Sequence, residues 1–167
     1  ETLSEFLLSH TSEEIFILRG YAGTGKTSLV GALVKTMDAL KQKSILMAPT
    51  GRAAKVFSLY AGHSAFTIHK KIYRQKTFSN EQTNFSLNDN LYQHTLFIVD
   101  EASMIANDGL SGSVFGTGRL LDDLIQYVYS GTGCRLLLMG DTAQLPPVGE
   151  EESPALSATA LKGYGLH

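Results

Sequence analysis

At 167 residues, the chain has the length of one domain with a sizeable core, and 43% hydrophobic against 18% charged residues excludes a disordered polypeptide. Its apolar runs fall far short of a bilayer span, so no membrane segment is expected. A net charge of −2 argues against a generally basic nucleic-acid protein, and the single cysteine, Cys134, forms no internal disulfide, which suits a reducing, cytoplasmic location.

Residues 1–5 are acidic and polar, unlike a signal peptide, and a first residue other than Met points to a trimmed or excised piece. Residues 2–12 read as a short helix with Leu3, Phe6 and Leu7 turned inward. Ile15-Phe16-Ile17-Leu18 then predicts a buried strand over about 14–19. It leads into Gly20-Tyr21-Ala22-Gly23-Thr24-Gly25-Lys26-Thr27-Ser28, a G-x-x-x-x-G-K-[ST] pattern. Helical spacing of Leu29, Val30, Leu33, Val34, Met37 and Leu40 follows, over about 25–41.

Strand, glycine-rich loop and helix together make a phosphate cradle. Gly20, Gly23 and Gly25 let backbone N–H groups approach phosphate oxygens, and the helix N-terminus adds its positive dipole end. Lys26 is placed for the β- and γ-phosphates and the Thr27 hydroxyl for Mg²⁺. The expected nucleotide-binding set is Gly20, Ala22, Gly23, Thr24, Gly25, Lys26, Thr27 and Ser28. A chance glycine-rich turn is the competing reading, and both flanks argue against it.

Residues 44–48 predict a second buried strand, ended by Pro49, with Thr50 as N-cap of a helix to about Tyr60 that Gly62 breaks. Ser64 is expected to cap a short helix over 66–72. Residues 73–94 are polar, and read either as a small hairpin (73–78 with 83–87) or as a disordered loop. Leu96-Phe97-Ile98-Val99 is a third strand ending at Asp100-Glu101, and residues 105–118 read as a loop. A helix over 120–129 precedes a fourth strand over 135–139, which Cys134 opens as core packing and Gly140-Asp141 ends. Ser153-Pro154 opens a last helix to about Leu161.

Four apolar strands separated by helices predict an α/β domain with a mainly parallel sheet and helices on both faces. Ligands of such sheets bind at the carboxyl ends of strands. Each predicted strand is followed there by chemistry: the phosphate loop, Pro49-Thr50-Gly51-Arg52, Asp100-Glu101, and Gly140-Asp141-Thr142-Ala143-Gln144. Asp100 is placed to hold Mg²⁺, directly or through water, and Glu101 to orient or deprotonate an attacking water. Gln144 offers an amide to the γ-phosphate or that water. Residues 39–80 hold eight of the fourteen basic residues and none of the sixteen acidic ones, which reads either as a phosphate-binding surface or as a solvated face.

These residues amount to a resemblance. The phosphate loop, residues 48–55, Thr67-Ile68-His69-Lys70, Val99-Asp100-Glu101-Ala102-Ser103-Met104 and Gly140-Asp141-Thr142-Ala143-Gln144-Leu145-Pro146-Pro147-Val148-Gly149 occur in order. The chain closely resembles, from about residue 14 to 149, the first RecA-like domain of superfamily 1 DNA helicases of the 5′-to-3′ branch. RecD-like exonuclease V α subunits are the nearest match, through a Gly-Asp-x-x-Gln-Leu-Pro-Pro-Val pattern foreign to kinases, GTPases and AAA+ proteins.

The resemblance implies a P-loop NTPase motor domain over 1–167, using ATP and Mg²⁺ with Lys26, Asp100, Glu101 and Gln144 as catalytic residues. It implies single-stranded DNA contacts from Thr50, Arg52, Lys55, Thr67 and His69, and places 73–94 where relatives carry a strand-separating hairpin. The implied partners are DNA, a second RecA-like domain C-terminal in the same polypeptide and subunits of a nuclease complex acting in repair and recombination. Two departures stand out. Residues 1–19 lack the adenine-reading glutamine of the relatives, and the second domain with its arginine finger is absent, so the isolated chain is expected to hydrolyse ATP very slowly. The alternatives are another P-loop NTPase (a kinase or GTPase), a non-hydrolysing nucleotide- or strand-binding module, and an RNA helicase.

Overall fold

A computed structural model describes residues 15–20, 26–77, 83–105 and 119–141. The expected helices over 2–12 and 153–161, the loop over 105–118 beyond Ile105, and Gln144 lie outside the described residues, as do 21–25 of the phosphate loop. No helix among the described residues is long and apolar enough to cross a membrane.

The chain runs β1 (Ile15–Gly20), α1 (Lys26–Ala39), β2 (Lys43–Ala48), α2 (Gly51–Ala61), β3 (Ala65–Thr67), α3 (Ile68–Ile72), β4 (Tyr73–Thr77), β5 (Thr83–Leu87), β6 (Thr95–Val99), a 3₁₀ turn (Ala102–Met104), α4 (Leu120–Tyr129) and β7 (Arg135–Asp141). Five strands form one sheet in the order β1-β7-β6-β2-β3, every pair parallel. Strands covered on both faces read as unbroken apolar runs, which is why β6 (Thr-Leu-Phe-Ile-Val) is buried at every position.

The path of the chain sorts the helices. Steps from β1 to β2 and β2 to β3 run one way across the sheet, and steps from β3 to β6 and β6 to β7 run the other. Right-handed crossovers therefore put α1 and α2 on one face and α3 and α4 on the opposite one. The two core layers bear this out. Val30, Val34 and Phe57 pack with Leu46, Leu96 and Leu137, while Ile68, Ile72, Leu121 and Leu124 pack with Met47, Phe97 and Leu138. Phe97 is fully buried, with Tyr92 and Tyr127 edge-on at 5.7 and 5.8 Å.

Helix α2 starts where its sequence says. Thr50 is extended and its hydroxyl oxygen accepts from Ala53 N at 3.1 Å, and Gly62, in the left-handed region at φ 71°, closes the far end.

Two expectations are corrected. Among the described residues there are five parallel strands, not four, because Ala65–Thr67 pairs with Leu46–Ala48 at the sheet edge. That pairing also takes Phe66 and Thr67 out of the expected helix, so α3 begins at Ile68 with Thr67, not Ser64, as cap, its oxygen accepting from Lys70 N at 3.2 Å. Strands β4 and β5 form a separate antiparallel hairpin, Tyr73 opposite Leu87 and Thr77 opposite Thr83. The Tyr73 hydroxyl donates to the buried Asp123 of α4 at 2.5 Å, which fixes the hairpin's base to the domain.

Candidate functional site

The carboxyl ends of β1, β7, β6 and β2 lie side by side. Gly20 closes β1 opposite Asp141 of β7, and Lys26, Thr27 and Ser28 open α1 across the loop. Ser28 is exposed, and the side chains of Lys26 and Thr27 lie outside the description.

One strand along, β6 gives way to Asp100. Its backbone N–H still bonds Met47 O at 3.0 Å, so the sheet ladder itself holds this residue at the strand end. Both carboxylate oxygens are engaged. Oδ1 accepts from the Glu101 backbone N–H at 2.8 Å, and Oδ2 from the Tyr60 hydroxyl of α2 at 2.5 Å. Each oxygen has a second lone pair, so the carboxylate can still accept from a water or bind a hard cation. That donor set fits Mg²⁺ with Asp100 as its strand-end ligand, although no cluster of three or more metal-ligating side chains forms among the described residues. Burial, then the bond to Asp100 and the charges of Asp100 and Glu101, push the Tyr60 phenol far above its ordinary pKa. Tyr60 is therefore a permanent donor.

Glu101 is in the left-handed region at φ 55°, ψ 37°, a conformation that costs a non-glycine residue about 1–2 kcal/mol. The strain turns the chain straight into the 3₁₀ turn, and Glu101 thereby faces α2. Thr50, Arg52, Ala53, Val56, Asp100, Glu101 and Met104 line one cavity of about 270 Å³. The two expected catalytic acids and two of the expected strand contacts thus share a single hollow.

Lys55 lies on the same helix and is exposed, as is Arg52. Thr50 lies two residues beyond β2 and Thr67 ends the neighbouring β3, and each caps the helix that follows. Capping uses a lone pair on each hydroxyl and leaves each O–H able to donate to an anion. His69 is half-buried, its ring 5.6 Å from that of Tyr73, and burial lowers its pKa. It is a neutral imidazole at pH 7, suited to a hydrogen bond and not to an ionic contact. Tyr60 is the site residue that sequence reasoning missed. The sequence marks its position only as the end of a helix, and nothing in the local pattern shows a partner 40 residues away.

A parallel α/β sheet with a glycine-rich β1–α1 junction and an acidic pair at the end of β6 defines a P-loop NTPase domain. The chain belongs to the AAA domain family, whose model matches residues 5–162.

The chain is 33% identical over 135 residues to the ATP-dependent RecD2 DNA helicase of Deinococcus radiodurans, covering 80% of this chain and 16% of that protein. It is 30% identical over 149 residues to the ATP-dependent DNA helicase Pif1 of Bdellovibrio bacteriovorus, covering 89% and 32%. In fold it matches the Pif1 helicase of Candida albicans with a TM-score of 0.53 at 22% identity, over 95% of this chain and 36% of that one. The chain spans between 16% and 36% of the length of these three.

Proposed function

We propose that the chain is the first motor domain of a RecD-like, 5′-to-3′ ATP-dependent DNA helicase. One observation supports this most: Asp100 and Glu101, the acids suited to nucleotide hydrolysis, line the same cavity as Thr50 and Arg52, the groups suited to a phosphodiester backbone. A plain kinase or GTPase has no use for a basic helix opening into its hydrolytic site, whereas a motor must join the two functions.

In this reading Gly20, Ala22, Gly23, Thr24, Gly25, Lys26, Thr27 and Ser28 cradle the triphosphate, and Lys26 neutralises charge on its terminal phosphates. Thr27 and Asp100 hold Mg²⁺, which when bound offsets phosphate charge. Glu101 orients and deprotonates the water, and Gln144 reports the γ-phosphate. Thr50, Arg52, Lys55, Thr67 and His69 follow a single strand across the ends of β2 and β3. A second RecA-like domain of the same polypeptide completes the cleft with an arginine. Without it, turnover falls by about 10³–10⁵. Membership of an exonuclease V type complex is a further part of this proposal.

The test is ATP hydrolysis by the full-length polypeptide with and without single-stranded DNA, beside Lys26→Ala. Strong stimulation that Lys26→Ala abolishes supports the motor. Lys26-dependent hydrolysis indifferent to DNA would refute it and leave only a P-loop NTPase.

A further inference from the structure

We propose that Tyr60 is a positioning residue that ties the strand-contacting helix α2 to the Asp100 carboxylate, so that strand binding changes the Mg²⁺ demand of the nucleotide site. This deepens the reading above and rests on it.

The linkage is short and stiff. Thr50 caps α2 at one end and Tyr60 sits near the other, within one 11-residue helix. Helical hydrogen bonding makes that segment move as a unit. The Tyr60 ring stacks on Phe57 at 5.2 Å and 22°, and Phe57 is fully buried among α1 and the sheet. The ring therefore has one place to be, and its hydroxyl ends 2.5 Å from Asp100 Oδ2.

Asp100 is held from two sides that need not move together. Oδ1 follows the Glu101 backbone, which belongs to the sheet end, while Oδ2 follows α2. A phosphodiester drawn to Thr50, Arg52 and Lys55 pulls on α2. Because α2 is one rod, that pull reaches the Tyr60 hydroxyl and rotates or releases Oδ2. The lone pairs that Asp100 presents to a cation or its waters are then reset by what α2 is holding. By linkage, the cation must change strand affinity by the same factor.

A merely structural Tyr60 would satisfy a half-buried carboxylate and nothing more. Its loss would shift the Mg²⁺ requirement equally with and without a strand. A relay predicts that only the difference between the two states disappears. Tyr60→Phe separates these possibilities, because it keeps the ring and its stack on Phe57 and removes one oxygen.

The experiment follows fluorescence of an N-methylanthraniloyl ATP bound to the full-length polypeptide during Mg²⁺ titration, with and without saturating oligothymidylate. In the unaltered protein the strand is expected to lower the Mg²⁺ midpoint about fivefold. In Tyr60→Phe the strand-induced shift is expected to fall below about 1.5-fold, wherever the strand-free midpoint comes to lie. An undiminished strand shift in Tyr60→Phe, or equal displacement of both midpoints, overturns the relay. Asp100→Asn is titrated in parallel. If it leaves the midpoint unchanged, Asp100 is not the metal carboxylate, and the underlying reading fails together with the relay. If Asp100→Asn raises the midpoint and Tyr60→Phe behaves as the unaltered protein, only the relay is lost.

Discussion

The two edges of the sheet are built on opposite plans. At the amino edge, polar groups are used up on one another. His94 N–H donates to Thr132 O at 2.8 Å, and the Asn90 amide donates to Tyr127 O and Val128 O at 2.9 and 3.1 Å, satisfying the last carbonyls of α4. The same Asn90 accepts from Tyr92 N, and the Lys43 ammonium lies 4.6 Å from the Tyr92 ring centre. At the carboxyl edge the pattern reverses: a carboxylate with lone pairs to spare, capping hydroxyls with free O–H donors, a strained glutamate and an open cavity. A fold that closes one end and leaves the other chemically unfinished has separated stability from function. Substitutions at the two ends should accordingly fail in different assays.

The largest effect is expected at the carboxyl edge. Glu101→Gln keeps the size of the side chain and removes the carboxylate proposed as base, so the proposed strand-stimulated hydrolysis by the full-length polypeptide should fall about 10²–10⁴-fold. Melting temperature should hardly move, because the left-handed backbone at Glu101 is unchanged. Steady-state ATPase measurements beside a thermal melt decide it. A variant that loses activity only in proportion to lost fold would break the contrast between the edges.

The amino edge should give the converse result. A Cβ on Gly131 would stand 2.5 Å from Asn90 Nδ2 and 2.8 Å from Cys134 Sγ. Neither atom is free to retreat, since Asn90 is committed to the α4 carbonyls and Cys134 is buried. Gly131→Ala should therefore destabilise by about 1–3 kcal/mol, the usual range for overpacking, with hydrolysis per folded molecule unchanged. Urea denaturation monitored by circular dichroism measures the first, and ATPase at low temperature the second.

What the sequence made legible follows from the same physics. Strands β1, β2, β6 and β7 announce themselves because burial on both faces demands unbroken apolar runs, and Thr50 and Gly62 bound α2 through local backbone chemistry. Strand β3 escaped because its three residues have no apolar run and owe their conformation to pairing with β2. The choice of Thr67 over Ser64 as cap is a consequence of that pairing, not of either residue. Asp100 and Glu101 were legible as the end of a strand, but Tyr60 was not, because a bond spanning 40 residues leaves no local trace. The buried Tyr73–Asp123 pair, 50 residues apart, was hidden for the same reason.

The smallest expected effect sharpens the comparison from the carboxyl side. His69 is held partly out of water there, and burial lowers its folded pKa. In the unfolded chain the imidazole titrates near 6.5. Below that value the unfolded state binds more protons than the folded state, so stability falls as pH drops from about 6.5 towards the folded pKa, and is independent of this group above it. His69→Gln should flatten that part of the profile, so urea midpoints at about pH 7.5 and about pH 5.5 lie closer together than in the unaltered protein. A profile equally steep in the variant would show that the imidazole is as hydrated folded as unfolded. His69 could then ionise on the strand-facing edge and join Arg52 and Lys55 as a cationic contact. If the flattening is found, His69 meets a strand as a neutral partner, and the salt dependence of strand binding belongs to lysines and arginines such as Arg52 and Lys55 of α2 and not to this imidazole.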